Sequence, residues 1–122
     1  MPDPIQLLVV DDEELNRTLL RRTLESHYDI SEAEDAEQAI GLLERNPGIR
    51  LVLCDQLMPG RTGVEMASIV QTRWPKVRVL LLTGAQDDGQ IQHALEVGTI
   101  AAILVKPWRA TKLRSLITQY LS

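Results

Sequence analysis

Along this chain, short unbroken apolar runs alternate with longer stretches in which apolar residues recur at helical spacing, and the cycle repeats about five times. The runs are Leu7-Leu8-Val9-Val10, a weaker segment about Asp29 to Ser31, Ile49 to Cys54, Val77 to Leu82, and Ile103-Leu104-Val105. A strand with one wet face alternates apolar and polar residues, so continuous runs predict strands covered on both faces. Between them, Leu15, Leu19, Leu20 and Leu24 predict an amphipathic helix ending near His27, with Arg17, Arg21 and Arg22 on its other faces. Ala36, Ala39, Ile40 and Leu43 predict a second helix, stopped by Asn46-Pro47-Gly48. Val64, Ala67, Ile69 and Val70 predict a third, running to Trp74-Pro75. Ile91, Ala94 and Leu95 predict a fourth that closes at Gly98, a glycine C-cap. Leu113, Leu116, Ile117 and Tyr120 predict the last. Strands buried on both faces with helical crossovers make a three-layer α/β/α sandwich around a parallel sheet.

Composition narrows the setting. The chain has 122 residues, enough for one core, and no linker, repeat or low-complexity tract divides it, so a single domain over 1–122 is expected. Its hydrophobic share of 44% and charged share of 25% are those of a globular chain, and no stretch reaches membrane-spanning length. The net charge is −4, and the basic residues are split between segments and interleaved with acids, which gives nucleic-acid binding no support. Met-Pro-Asp-Pro lacks both the basic start and the apolar stretch of a signal peptide, so a cytoplasmic location is expected. The one cysteine, Cys54, lies inside a strand-like run and reads as an inert core thiol.

The candidate chemistry lies where runs end. Asp11-Asp12 follows the first run and Asp55 the third; Thr83 closes the fourth and Lys106 the fifth. In an open parallel sheet, ligands bind beyond the carboxyl ends of the strands, near the point where strand order reverses. Three carboxylates gathered there repel one another and need a proton or a bound cation; a divalent metal is the simpler answer. Taken singly, each residue has an ordinary structural reading. Asp11-Asp12 serves equally well as a helix cap and first-turn acid, Asp55 as a solvated turn acid, Thr83 as a turn residue and Lys106 as a surface lysine. Their shared position at strand ends carries the functional reading.

Four separated motifs agree in order and spacing: Val9-Val10-Asp11-Asp12-Glu13, Asp55 with Met58-Pro59-Gly60, Leu82-Thr83, and Val105-Lys106-Pro107. Together they resemble the receiver domain of two-component response regulators, and the resemblance covers essentially the whole chain. It implies a flavodoxin-like strand order of 2-1-3-4-5. It also implies that Asp55 accepts a phosphoryl group from a sensor histidine kinase or phosphotransfer protein. By the same resemblance Asp12, Asp55 and the main-chain carbonyl of Leu57 hold Mg²⁺, while Asp11 acts largely through bound water. Hard oxygen ligands suit that ion, and an anionic acceptor meeting an anionic phosphoryl group needs its charge neutralised. Lys106 and Thr83 would each contact a phosphoryl oxygen, and their movement would bias the surface of the fourth helix, fifth strand and fifth helix. That face is where the resemblance places an output partner or a homodimer.

The chain departs from the family pattern in three places. Ile103 stands where many receivers carry Tyr or Phe, so coupling through a swinging ring is not available. Leu57 and Ala85 occupy positions whose side chains influence attacking water, and neither can orient it by hydrogen bonding; a long-lived phosphoryl group is therefore expected. Two other functions compete. An aspartate-nucleophile phosphohydrolase uses similar residues but requires an acid at position 57, where Leu57 stands. A phosphorylation-independent scaffold is suggested by Ile103 alone, against a complete acid, threonine and lysine set. Thr83-Gly84 and Lys106-Pro107-Trp108 resemble variants in receivers joined to cyclic-dinucleotide phosphodiesterase or hybrid-kinase modules. With the chain closing just after the fifth helix, a single-domain regulator or an excised receiver is expected. His27 and His93 lack metal-ligand spacing and read as structural, as does Trp74 at a helix end, while Trp108 is left unassigned. Glu13 and Glu14 read as solvated helix-start acids.

Overall fold

The five apolar runs form five strands: β1 (Ile5–Val10), β2 (Tyr28–Ala33), β3 (Ile49–Asp55), β4 (Arg78–Thr83) and β5 (Ala102–Val105). The helical stretches form α1 (Glu14–Leu24), α2 (Ala36–Arg45), α3 (Gly63–Arg73), α4 (Gly89–Glu96) and α5 (Ala110–Leu121). This computed structural model describes residues 3–84 and 89–121. Every strand pair is parallel and the order is β2-β1-β3-β4-β5, the expected flavodoxin-like sandwich. From β1 the chain moves outward to β2, then returns to place β3 on the other side of β1, so the strand order reverses between β1 and β3. Their carboxyl ends carry Asp11 and Asp55.

Two apolar layers hold the sandwich. On one face Val52, Cys54, Val79 and Leu81 pack with Ala39 and Leu43 of α2, Met66 and Val70 of α3, and Ile91 of α4. On the other, Leu51, Leu53, Leu80 and Leu82 pack with Leu20 and Leu24 of α1 and Leu113 and Ile117 of α5. Neighbours along a strand thus enter opposite layers, and both layers are built from buried apolar side chains. A fully buried leucine contributes about 2 kcal/mol relative to an exposed one.

Several helix ends are fixed by local chemistry. Asp35 caps α2 by accepting from the Gln38 amide at 2.8 Å. Thr62 and Glu65 form a reciprocal capping box on α3. Gly98, at φ +83°, takes the left-handed turn after α4 that a side chain would strain, while the Thr99 amide reaches back to the Ala94 carbonyl at 2.9 Å.

The largest departure from the sequence reading is on α1. Its buried residues are Arg17, Leu20 and Leu24, whereas Leu15 and Leu19 are 82% and 56% exposed. The helix also stops at Leu24 rather than near His27. An arginine occupies part of the inner face, so leucine spacing alone does not locate it. Strand β2 is longer than the segment about Asp29 to Ser31; as an edge strand it is only half covered, which weakens its apolar signal. Elsewhere Ile40, Ile69 and Leu95 flank their helices' inner stripes, and Met66 joins the core unanticipated.

The start of α3 lies directly against the end of β3. The Gly63 amide donates to the Gln56 carbonyl at 3.0 Å, and the Val64 amide donates to Gln56 Oε1 at 2.9 Å. A Cβ on Gly63 would stand 2.6 Å from the Asp55 carbonyl oxygen and 2.6 Å from Leu81 Cδ1. Gly63→Ala is accordingly expected to cost about 1–3 kcal/mol in chemical denaturation, through overpacking between β3 and α3. Unchanged stability would mean that α3 can move away from Asp55 freely.

Candidate functional site

At the carboxyl end of the sheet, Asp11, Asp12 and Asp55 each present a carboxylate oxygen, and these oxygens lie within 4.8 Å of one another. Asp55 ends β3 and is 6% exposed; Asp11 follows β1 and is 1% exposed; Asp12 is open to solvent. Parallel pairing produces this convergence. Val10 is in register with Cys54, so the residues immediately beyond them emerge side by side. Lys106, just past β5, places its Nζ 2.9 Å from Asp55 Oδ1. Strand β4 sets that reach by lying between β3 and β5, with Thr83 opposite Val105 and the Lys106 amide donating to the Thr83 carbonyl at 2.9 Å. Thr83 itself is buried at the end of β4.

Asp11 is the most constrained of the three acids. Its Oδ1 accepts from the Glu13 amide at 2.9 Å, while its Oδ2 is buried without a hydrogen-bond partner. Burial pushes its carboxyl above the ordinary carboxylate range, and the nearby Asp55 charge adds to the rise. The Glu13 amide, the Lys106 charge and the nearby Asn16 side chain offset part of that rise. A buried, unsatisfied oxygen beside two further carboxylates is a donor set suited to a hard cation. The residues present therefore fit Mg²⁺: a cation would satisfy Asp11 Oδ2 and relieve the repulsion between the acids.

Other residues surround this cluster. Beside it a cavity of about 370 Å³ is lined by Asp11, Asn16, Leu19, Leu20, Lys106 and Trp108, and the Lys106–Pro107 peptide is cis. Trp108 packs partly against the α1 and α5 layer, and Trp74 against the opposite layer with Arg73 stacked on its ring at 4.4 Å. Leu57 turns outward, 76% exposed. Ile103 is half-buried against the layer shared by α2, α3 and α4. Burial also pushes the Cys54 thiol far up, in keeping with an inert core residue. His27 and His93 are exposed and stand apart from the acid cluster. Ala85 lies outside the described residues.

Two contributors escaped the sequence reading. Gln56, 4% exposed, ties the residue after Asp55 to α3 through both its main chain and its side chain. Arg17 donates from Nη1 to the Asp11 carbonyl at 2.8 Å. A signal for the second was present: Arg17, Leu20 and Leu24 follow i, i+3, i+7 spacing, so the arginine falls on the apolar stripe. Nothing in the sequence pattern marked Gln56.

Comparison with known proteins agrees with the geometry. The model of the response regulator receiver domain matches residues 7–118. The hydrogenase transcriptional regulatory protein HoxA of Cupriavidus necator is 38% identical over 102 residues, which are 84% of this chain and 21% of HoxA. This chain thus spans about a fifth of that relative's length. The chemotaxis protein CheY of Halobacterium salinarum is 30% identical over 119 residues, covering 96% of this chain and 97% of CheY. Among solved structures, the signal receiver domain of an HD domain-containing protein from Pseudomonas fluorescens superposes with a TM-score of 0.91 at 29% identity, covering 99% of this chain and 89% of that one. With the family matched across all five strands and the acid cluster at their carboxyl ends, this chain belongs to the response regulator receiver domains of two-component systems.

Proposed function

We propose that Asp55 is the phosphoacceptor and that Asp11, Asp12, Asp55 and the main-chain carbonyl of Leu57 hold Mg²⁺ beside it. The observation that carries this reading is the position of Asp55: buried at the end of β3, among the other two acids, with Lys106 at 2.9 Å. Bound Mg²⁺ would supply charge neutralisation between an anionic acceptor and an anionic phosphoryl group. An Asp55 carboxylate oxygen attacks phosphorus; the new O–P bond forms as the P–N bond to a phosphohistidine breaks, and the imidazole leaves with that electron pair. Before transfer Lys106 is paired with Asp55. Afterwards its ammonium pairs with a phosphoryl oxygen, and the Thr83 hydroxyl donates to another. Water later attacks phosphorus, breaking the O–P bond to return the Asp55 carboxylate and inorganic phosphate.

The donor would be a sensor histidine kinase or a phosphotransfer protein, and the recipient of the signal a separate or fused output partner. The face made by α4, β5 and α5 is the proposed surface for that partner or for a second copy. Leu95 and Val97 are exposed at the end of α4. Ile103 on β5 leaves no ring to swing between Thr83 and that face, so the signal would begin with movement of Thr83 itself at the end of β4. Among the described residues no helix is long and apolar enough to cross a membrane. Cytoplasmic location is part of the proposed reading.

Intact mass after incubation with Mg²⁺ and a small acyl phosphate tests the central assignment. A single phosphoryl adduct is expected, lost when metal is withheld and lost in Asp55→Asn. An adduct that survives Asp55→Asn would place the acceptor elsewhere. The same sample tests the effect of apolar Leu57 on water. The adduct is expected to persist for minutes or longer after donor removal and to decay faster in Leu57→Asn, whose amide can orient water. Loss within seconds in the native chain would contradict the assigned effect of Leu57.

A further inference from the structure

Arg17 occupies a place on α1 where the apolar stripe calls for a leucine. Its side chain is only 11% exposed, and burying a guanidinium is costly unless its donors are matched. They are matched to a specific set. Nη1 donates to the Asp11 carbonyl at 2.8 Å, Nε donates to Glu32 Oε1 at 3.3 Å, and Nη2 lies 3.9 Å from Glu34 Oε1. The second Glu32 oxygen accepts from Arg21 at 2.6 Å, so Glu32 at the end of β2 is held by two arginines.

These contacts converge on the main chain of Asp11. Its amide donates to the Ala33 carbonyl of β2 at 3.1 Å, and its carbonyl accepts from Arg17. Its side-chain Oδ1 accepts from the Glu13 amide. Three of its four polar atoms are therefore fixed, and the fourth, Oδ2, is left buried and unpartnered within the acid cluster. The Arg17 charge faces Glu32, shared with Arg21, and the more distant Glu34, while its contact with Asp11 is to the main chain, so its action on Asp11 would be geometric. A fork reaching a carbonyl and a carboxylate together is an arginine geometry that lysine does not reproduce.

We propose that Arg17 is a positioning residue for the cation site: by holding the Asp11 carbonyl it fixes where Asp11 Oδ2 lies, and so sets Mg²⁺ affinity without touching the ion. This rests on the proposed cation site, and the test separates the two. Mg²⁺ is titrated into the native chain, Arg17→Met, Arg17→Lys and Arg21→Met, following the amide NMR shifts of Asp12 and Gln56. Thermal midpoints are recorded in parallel. The native chain is expected to show saturable shifts. Arg17→Met is expected to weaken binding about tenfold, with Arg17→Lys also weakened despite its charge. Arg21→Met, which loses a Glu32 contact but none to Asp11, is expected to lower the thermal midpoint and keep native affinity. Native affinity in a folded Arg17→Met would overturn the proposal, and where that variant does not fold, native affinity in Arg17→Lys would do so. Equal weakening in Arg21→Met would overturn it too, by making the effect one of general stability. Absence of any Mg²⁺-dependent shift in the native chain would remove the cation site itself.

Discussion

Three carboxylates crowded at the end of a buried sheet repel one another, and most of what surrounds them manages that repulsion. Asp11 and Asp55 are both nearly inaccessible, with oxygens of the cluster within 4.8 Å of each other. Lys106 neutralises part of the charge through its contact with Asp55. One Asp11 oxygen remains without a partner, and its carboxyl is pushed up by burial. A fold selected for stability alone would have little reason to keep such a group in place; a fold that must attract a cation has one. The cost of the cluster in the resting protein and the cation affinity proposed for it would have the same physical source.

The sheet makes the arrangement rigid enough to use. Parallel pairing of β1 with β3 brings Asp11 and Asp55 together, and β4 and β5 carry Thr83 and Lys106 to the same end. Two buried apolar layers hold these strand ends from beneath. Local clamps act from the sides: Gln56 and Gly63 join β3 to α3, while Arg17 and Glu32 join α1 to the ends of β1 and β2.

The amino-acid sequence made the sandwich legible because its strands are covered on both faces and read as unbroken apolar runs. Asp11, Asp12, Asp55, Thr83 and Lys106 were legible for a related reason: each directly follows or closes such a run, and strand ends meet in a parallel sheet. Edge strand β2 was shortened because half-coverage dilutes its pattern. The inner face of α1 was misread because Leu15 and Leu19 are apolar yet exposed, while a charged residue, Arg17, lies inside. The i, i+3, i+7 spacing of Arg17, Leu20 and Leu24 marks the stripe, but tertiary hydrogen bonding decides that a charge fills it. Gln56 was missed for the same reason, since its role depends on the amides of a helix that begins several residues later.

Thermal unfolding of the native chain and Asp11→Asn at increasing Mg²⁺ tests most directly whether carboxylate repulsion governs this site. Asn keeps the Oδ1 acceptor but removes the buried charge, so without metal the variant should unfold at a higher temperature than the native chain. Added Mg²⁺ should then raise the native midpoint through preferential binding to the folded state and raise the variant's much less. A native midpoint indifferent to Mg²⁺, together with a less stable Asp11→Asn, would contradict the account: the acids would then be held by the fold for reasons unrelated to a cation.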